Sequence, residues 1–207
     1  RITRMKRELI QVRKQRAQHR QRRVRTGVPV VSLVGYTNAG KSSLLNKLAK
    51  SGVIARDQLF STLDPVTRKV MLKDGTNVLI TDTVGFIQKL PTSVVAAFRA
   101  TLEEMEEASV LLHVVDISHK NAAQHIEVVE KILTDLKLTE KTRILALNKA
   151  DLLDPNVDSS FLTEVGGATA VLTSVQSGLG LDDLLDALED VVDVGAESNG
   201  STAIQVS

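Results

Sequence analysis

The sequence predicts an α/β fold of three layers, in which helices cover both faces of a mostly parallel six-stranded sheet with one antiparallel strand. Three observations predict it. A glycine-rich stretch, "GYTNAGKS", lies between an apolar run and a helical pattern. Short apolar runs then alternate with helical periodicity along the chain, which is typical of a parallel sheet. A single Asp-Gly turn signal between two β-rich runs adds the antiparallel strand.

Length and composition indicate one domain with appendages. The chain has 207 residues, of which 43% are hydrophobic, enough for a single core. We assign residues 1–26 to a basic helical linker segment, residues 27–194 to the domain and residues 195–207 to a polar tail that we expect to be disordered. Because the chain starts at Arg1 within a helical pattern, we expect it to be a piece of a longer protein, preceded by an N-terminal region.

The first segment concentrates positive charge. Eleven of the 26 lysines and arginines lie in it, and Glu8 is its one acidic residue. Such a charge run is often only a solvated helix face, but this density favours contact with RNA phosphates. Four apolar residues form a narrow helical seam that needs a packing partner, namely Ile2, Met5, Leu9 and Val12.

Cysteine content and hydropathy limit the cellular compartments in which we expect the protein. The chain has no cysteine, which excludes disulfides and thiolate metal sites and fits a reducing environment. No apolar run approaches the roughly 20 residues that span a bilayer. We therefore expect a protein without a membrane anchor, in the cytoplasm or in an organelle matrix.

Each element follows from a local pattern. "VVSLVG" predicts a buried strand and "KSSLLNKLAK" the helix after it. Residues 66–72 and 77–82 predict strands joined by the "KDGT" turn. The remaining predictions, in order, are a helix from about Thr92, a strand at "SVLLHVVD", a helix over 126–136, a strand at "TRILALN", a weak helix near Phe161, a strand at "ATAVLT" and a helix from Leu181.

The glycine-rich stretch has the spacing G-x-x-x-x-G-K-S of a P-loop, in the strand–loop–helix context that a P-loop NTPase requires. Its glycines let successive backbone N–H groups face a phosphate, and Lys41 places a charge on the β- and γ-phosphates. The Ser42 hydroxyl suits Mg²⁺, which prefers hard oxygen ligands. The residues predicted to bind the nucleotide here are Gly35, Tyr36, Thr37, Asn38, Ala39, Gly40, Lys41, Ser42 and Ser43.

A second motif, "DTVG", ends the strand at residues 77–82. Asp82 is predicted to hold a water on Mg²⁺, and the Gly85 N–H to reach the γ-phosphate. Asp and Gly often occur together in turns, so the motif gains its meaning from its position after the P-loop. The predicted nucleotide contacts of this motif are Asp82, Thr83, Val84 and Gly85.

Base selection is predicted at two further strand ends. In "LNKAD", Asp151 can accept hydrogen bonds from guanine N1–H and the 2-amino group, and adenine would leave this carboxylate unpaired. Asn148 can bond N7 and tie loops together, while the Lys149 stem can lie over the ring. In "TSV", which follows the sixth strand, Ser174 and Val175 offer backbone N–H groups to guanine O6, with Thr173 beside them. The alternative for "LNKAD" is a helix-capping Asp.

The ordered set GYTNAGKS, FSTLDP, DTVG, NKAD and TSV resembles the translation-factor-related GTPases, and residues 56–103 resemble the HflX family in particular. The resemblance covers about residues 1–194. It implies a GTPase that associates with the large ribosomal subunit and its RNA and helps dissociate stalled or idle ribosomes. We expect the protein to be a monomer. Two alternatives stay open: a ribosome-assembly or RNA-modification GTPase, and a nucleotide-binding module with negligible turnover.

The resemblance also implies a switch motif in "FSTLDP". There Thr62 is the residue whose hydroxyl reaches Mg²⁺ with Ser42 and Asp82, and Thr67 is a rival that lies late, at the start of the next strand. One departure from the family pattern is Val175, where the family usually has alanine. The predicted nucleotide contacts of the switch motif are Phe60, Ser61, Thr62 and Leu63.

Phe86 follows the DTVG glycine, where many GTPases orient the attacking water through a side-chain amide. A phenyl ring cannot do this, and Gln88 lies two residues late. The resemblance implies that the Asn38 carbonyl holds a potassium ion against the phosphates; the alternative is that Asn38 merely tolerates an unusual backbone angle. We assign the catalytic roles to Asn38, Lys41, Thr62 and Gly85, with a ribosomal partner as a further stimulus.

Other residues carry weaker predictions. His113 lies within a strand and is predicted to be a hydrogen-bonded core residue, and His119 and His125 lack partners at metal-ligand spacing. The loop with Phe86, Ile87 and Leu90 is unusually apolar. It either docks in the core in one nucleotide state only, or is simply buried.

Overall fold

A computed structural model describes residues 27–49, 66–86, 102–153 and 168–200, with side chains up to Val192. The strands are β1 (Val30–Val34), β2 (Val66–Met71), β3 (Asn77–Asp82), β4 (Val110–Asp116), β5 (Thr142–Asn148) and β6 (Thr169–Leu172). The helices are α1 (Lys41–Leu48), α2 (Ala122–Asp135) and α3 (Leu181–Gly200), with further helical residues at 102–107 and a short 3₁₀ turn at Ala150–Leu152. The predicted basic helix and the weak helix near Phe161 lie outside the described residues.

The six strands form one sheet in the order β2-β3-β1-β4-β5-β6. β2 and β3 pair antiparallel through the "KDGT" turn, where Gly75 has a φ of 91°, and all other neighbours pair parallel. The predicted fold class and its antiparallel strand are confirmed. Because β1 lies between β3 and β4, the loops after these strands meet at one edge of the sheet, where α/β proteins bind ligands.

The core of the described residues has one cluster on one face of the sheet and two on the other, where the second is formed around Ile126, Leu145 and Leu147. Leu44 of α1 and Leu184 of α3 pack on one face, and Val129 and Leu133 of α2 pack with Met105 on the other. Every residue of β4 before Asp116 is buried, since its side chains alternate between the two covered faces. This double burial explains why β4 is a continuous apolar run in the sequence.

The last helix is longer than predicted. The sequence analysis ends the domain at residue 194, whereas α3 runs to Gly200. Leu181, Leu184, Leu188 and Val192 anchor the helix in the core. Adding residues to the end of an existing helix needs no new nucleation step. Gly195 opposes this extension by only about 1 kcal/mol. No helix of the described ranges has both the length and the apolar character needed to cross a bilayer.

His113 is buried in β4, and one of its two ring nitrogens lacks the predicted hydrogen bond among the described residues. Its Nδ1 has no hydrogen-bond partner within the described part of the chain, and the nearest carboxylate, of Glu130, is 3.9 Å away and bonded to Arg143. Burial, with smaller effects of Lys41 and Arg143, lowers the pKa of His113 to about 3. The imidazole is therefore neutral at ordinary pH.

This neutral histidine should make the fold sensitive to acid. The unfolded chain takes up a proton at His113 near pH 6.5 and the folded chain does not, so stability is full above that pH and falls as pH decreases towards 3. Between pH 7 and pH 5 the loss should be about 2 kcal/mol. Urea unfolding measures the free energy of unfolding at both pH values. The wild type should lose about 2 kcal/mol more than His113→Leu between pH 7 and pH 5. Equal pH dependence in the two proteins would contradict it, and His119→Leu, at an exposed position, is the matched control.

Candidate functional site

The P-loop connects the central strand to α1 and has the backbone shape that its glycines allow. Gly35 and Gly40 have φ values of 145° and 101°, and Asn38 has a φ of 61°, an uncommon conformation for a residue with a side chain. Gly40 caps α1 directly before Lys41. The loop thus curls around the N-terminus of α1, where backbone N–H groups and the helix dipole favour an anion.

Lys41 turns back over the loop that contains it. Its Nζ donates to the carbonyl oxygens of Gly35 at 3.1 Å and Tyr36 at 2.9 Å, and the residue is only 6% exposed. Burial lowers the pKa of Lys41 to about 8, and the nearby Asp82 carboxylate acts in the opposite direction. A buried ammonium beside an anion-binding helix end suits a phosphate.

Two oxygen ligands meet beside the loop. The Ser42 hydroxyl donates to Asp82 Oδ2 at 2.6 Å, although 40 residues separate them in the sequence. Asp82 is buried at the end of β3, next to β1. The Ser42 hydroxyl and the Asp82 carboxylate are hard oxygen donors of the kind that Mg²⁺ binds, and they lie close together. These two residues therefore fit the ion. Thr62, the third predicted ligand, lies outside the described residues with the rest of the switch motif, Phe60, Ser61 and Leu63.

The DTVG segment lies directly against the P-loop. A Cβ at Gly85 would come within 2.8 Å of Thr37 Cα and 2.9 Å of Lys41 Nζ, so a side chain does not fit there. The Phe86 N–H donates to the Gly35 carbonyl and the Phe86 carbonyl accepts from the Thr37 N–H, each at 3.0 Å. Phe86 is fully buried here. Gln88, Ile87 and Leu90 lie outside the described residues.

Asn148 joins the P-loop to the loop after β6. Its Nδ2 donates to the Ala39 carbonyl at 2.9 Å, and its Oδ1 accepts from the Val175 N–H at 3.3 Å. A Cβ at Gly40 would overlap the same Nδ2, so this glycine leaves the space that the amide fills. The predicted tie between loops is present in the geometry.

The "TSV" loop differs from its prediction. The Ser174 N–H donates to the Leu179 carbonyl at 2.9 Å, which closes the turn before α3 and removes this donor from guanine O6. Ser174 instead acts through its hydroxyl, which donates to Asp151 Oδ1 at 2.5 Å. The Val175 N–H donates to Asn148 Oδ1 at 3.3 Å, a longer bond than that of Ser174. Thr173 is fully buried beneath them.

Two features escaped sequence reasoning. Asp116, at the end of β4, binds Lys149 Nζ through Oδ2 at 2.6 Å. The Tyr36 ring of the P-loop stacks on His125 of α2, with ring centroids 3.8 Å apart. Asp116 ends an apolar strand as Asp82 does, and that shared pattern could have revealed it. The ring stack has no sequence signal, because 89 residues separate its members.

Comparison with known proteins gives consistent results. A family profile described as "50S ribosome-binding GTPase" matches residues 30–149. Relatives described as GTPase HflX include one from Caldanaerobacter subterraneus subsp. tengcongensis, 45% identical over 91% of this chain and 42% of its own length. Another, from Escherichia coli, is 42% identical over 92% of this chain and 45% of its own length. The chain spans less than half the length of these relatives.

Solved structures share the fold. Era in complex with MgGDPNP and nucleotides 1506–1542 of 16S ribosomal RNA has a TM-score of 0.67 at 24% identity, over 79% of this chain and 56% of that one. A variant of S. thermophilus NFeoB bound to GDP.AlF4- has a TM-score of 0.65 at 21% identity, over 80% of this chain and 64% of that one. At these identities the likeness shows the fold alone.

Proposed function

Because this chain belongs to the 50S ribosome-binding GTPase family and, within it, to the HflX group, we propose that it binds guanine nucleotides and hydrolyses GTP to GDP and phosphate. One observation carries the proposal. The Asn148 amide links the P-loop carbonyl of Ala39 to the loop after β6, so the predicted phosphate and base sites form one continuous surface.

Each part of that surface has a proposed role. Lys41 and the P-loop N–H groups bind the phosphates, while Asp151 and the Val175 N–H select guanine. Ser42, Asp82 and Thr62 would hold Mg²⁺, which when bound neutralises phosphate charge. Gly85, which has no room for a side chain, would bring its N–H to the γ-phosphate. This contact would affect the position of the next residue, Phe86.

We also propose that the protein acts on ribosomes. The family profile, described as a 50S ribosome-binding GTPase, supports association with the large subunit, and the basic segment of residues 1–26 supports contact with its RNA. The specific action proposed is dissociation of stalled or idle ribosomes by a monomer. Ribosome splitting assayed by sucrose-gradient sedimentation with GTP and with GDP tests this role, and splitting that needs no GTP would contradict it.

The central test is single-turnover hydrolysis of GTP with and without large ribosomal subunits. We expect slow hydrolysis alone and faster hydrolysis with the subunits. The second candidate, a binding module with negligible turnover, is favoured by Phe86, whose ring offers no donor or acceptor for water. Tight GTP binding without hydrolysis in either condition would select this candidate.

Asn38 is proposed to supply a potassium site that assists hydrolysis. Its position in the P-loop is exposed, and its φ of 61° holds it in a left-handed turn. We expect hydrolysis in KCl to exceed that in NaCl at equal ionic strength by about tenfold, because a fixed cation would stabilise transition-state charge.

Asn38→Ala separates the ion site from backbone geometry. The variant should lose the difference between potassium and sodium while its GDP affinity stays within about twofold. Asn38→Gly is the matched control, since glycine accepts the same φ and also lacks the carbonyl. A potassium effect that survives in both variants would remove Asn38 from this role.

A further inference from the structure

β4 and β5 end side by side at the first residue of the "NKAD" motif. Asp116 and Asn148 are partners in the parallel ladder of β4 and β5, and the Ile117 N–H donates to the Asn148 carbonyl at 3.1 Å. The backbone after β4 is therefore fixed to the first residue of the "NKAD" motif. Any side chain at position 116 acts on this motif at close range.

Both carboxylate oxygens of Asp116 are engaged. Oδ1 accepts from the Ser118 N–H at 3.1 Å and from the Ser118 hydroxyl at 2.6 Å, and Oδ2 accepts from Lys149 Nζ at 2.6 Å. Burial opposes ionisation, but the bonds from Lys149 and Ser118 outweigh it and keep the pKa of Asp116 below its ordinary value. The bonds from Ser118 therefore orient the charged carboxylate so that its other oxygen accepts from Lys149.

Lys149 is in an unusual conformation. Its φ is 65°, a left-handed value that is strained for a residue with a Cβ, and the 3₁₀ turn that carries Asp151 begins directly after it. The ion pair anchors the end of this side chain at the strand end. With Nζ held by Asp116, the methylene groups of Lys149 have fewer accessible rotamers.

We propose that Asp116 is a positioning residue for guanine recognition, which acts by pinning Lys149 so that the lysine stem and the turn bearing Asp151 are preformed for the base. The inference rests on the proposed nucleotide function. Its energetic basis is preorganisation, since a side chain and turn that are already ordered lose less entropy when the nucleotide binds.

The decisive variant is Asp116→Asn. It keeps an oxygen for Ser118 but replaces Oδ2 with an amide that cannot accept from Lys149. We expect the Kd for GDP to rise about tenfold, with kcat at saturating GTP within about twofold. Asp186→Asn is the matched control: Asp186 pairs with Lys73 at a similar distance, but both side chains are about half exposed, against 15% for Asp116. The control should leave GDP affinity unchanged.

A double-mutant cycle with Lys149→Met distinguishes pinning from a general structural role. If Asp116 acts through Lys149, adding Asp116→Asn to Lys149→Met should weaken GDP binding no further. Additive losses, a loss in Asp186→Asn of equal size, or unchanged GDP affinity in Asp116→Asn would each overturn the inference. A wild-type chain that binds no GDP would overturn the proposed function itself, a result distinct from these three.

Discussion

Replacing Asp151 with Asn is expected to weaken GDP binding by about a thousandfold and to give the site a preference for xanthine nucleotides. The carboxylate is an acceptor for both N1–H and the 2-amino group of guanine, whereas an asparagine amide presents a donor that guanine cannot match. Xanthine has a carbonyl at position 2, which can accept from that amide. The fold should persist, because the Ser174 hydroxyl that now donates to Asp151 can donate equally to an asparagine oxygen.

Fluorescence titration with labelled GDP and XDP measures the affinity of the variant for each nucleotide. The matched control is Asp190→Asn, an exposed acidic residue of α3 that should not change either affinity. A variant at position 151 that keeps wild-type affinity for GDP and gains none for XDP would show that Asp151 does not read the base. That result would favour the helix-capping alternative.

Replacing Lys41 with Met is expected to weaken GTP binding by about 10²- to 10³-fold without loss of fold stability. Burial of the ammonium is unfavourable for the fold by itself, and methionine has a similar length without charge. The two carbonyls that it bonds keep other donors, since Gly35 also accepts from the Phe86 N–H and Tyr36 from the Ala39 N–H. Binding and stability should therefore separate in this variant.

Calorimetry measures the affinity for GTP, and thermal unfolding measures the stability of the fold. Lys47→Met, an exposed lysine of the same helix, should leave both unchanged. In the wild type, burial lowers the pKa of Lys41 to about 8, and the negative charge of bound phosphates should raise it. GTP affinity should therefore fall above pH 8, by at most about tenfold per pH unit, and this fall should be absent in Lys41→Met. Retained affinity in the variant would contradict the role of Lys41.

Much of the fold could be predicted because its signals are local. The "KDGT" turn fixed the hairpin of β2 and β3, and continuous apolar runs marked β4 and β5 as strands buried on both faces. The end of α3 could not be predicted in this way. Local propensity indicates a break at Gly195, and packing of residues up to Val192 gives the helix an anchor from which it continues.

The residue types that form the site can be read from the sequence alone, because the spacing of GYTNAGKS, DTVG and NKAD is a property of short segments. How these residues are used depends on the tertiary structure. It engaged the Ser174 N–H within a turn, placed Asn148 between two loops and paired Asp116 with Lys149. The physical reason is that hydrogen-bond partners depend on which strand ends lie side by side, and strand order is set by packing across the whole sheet rather than by any local pattern.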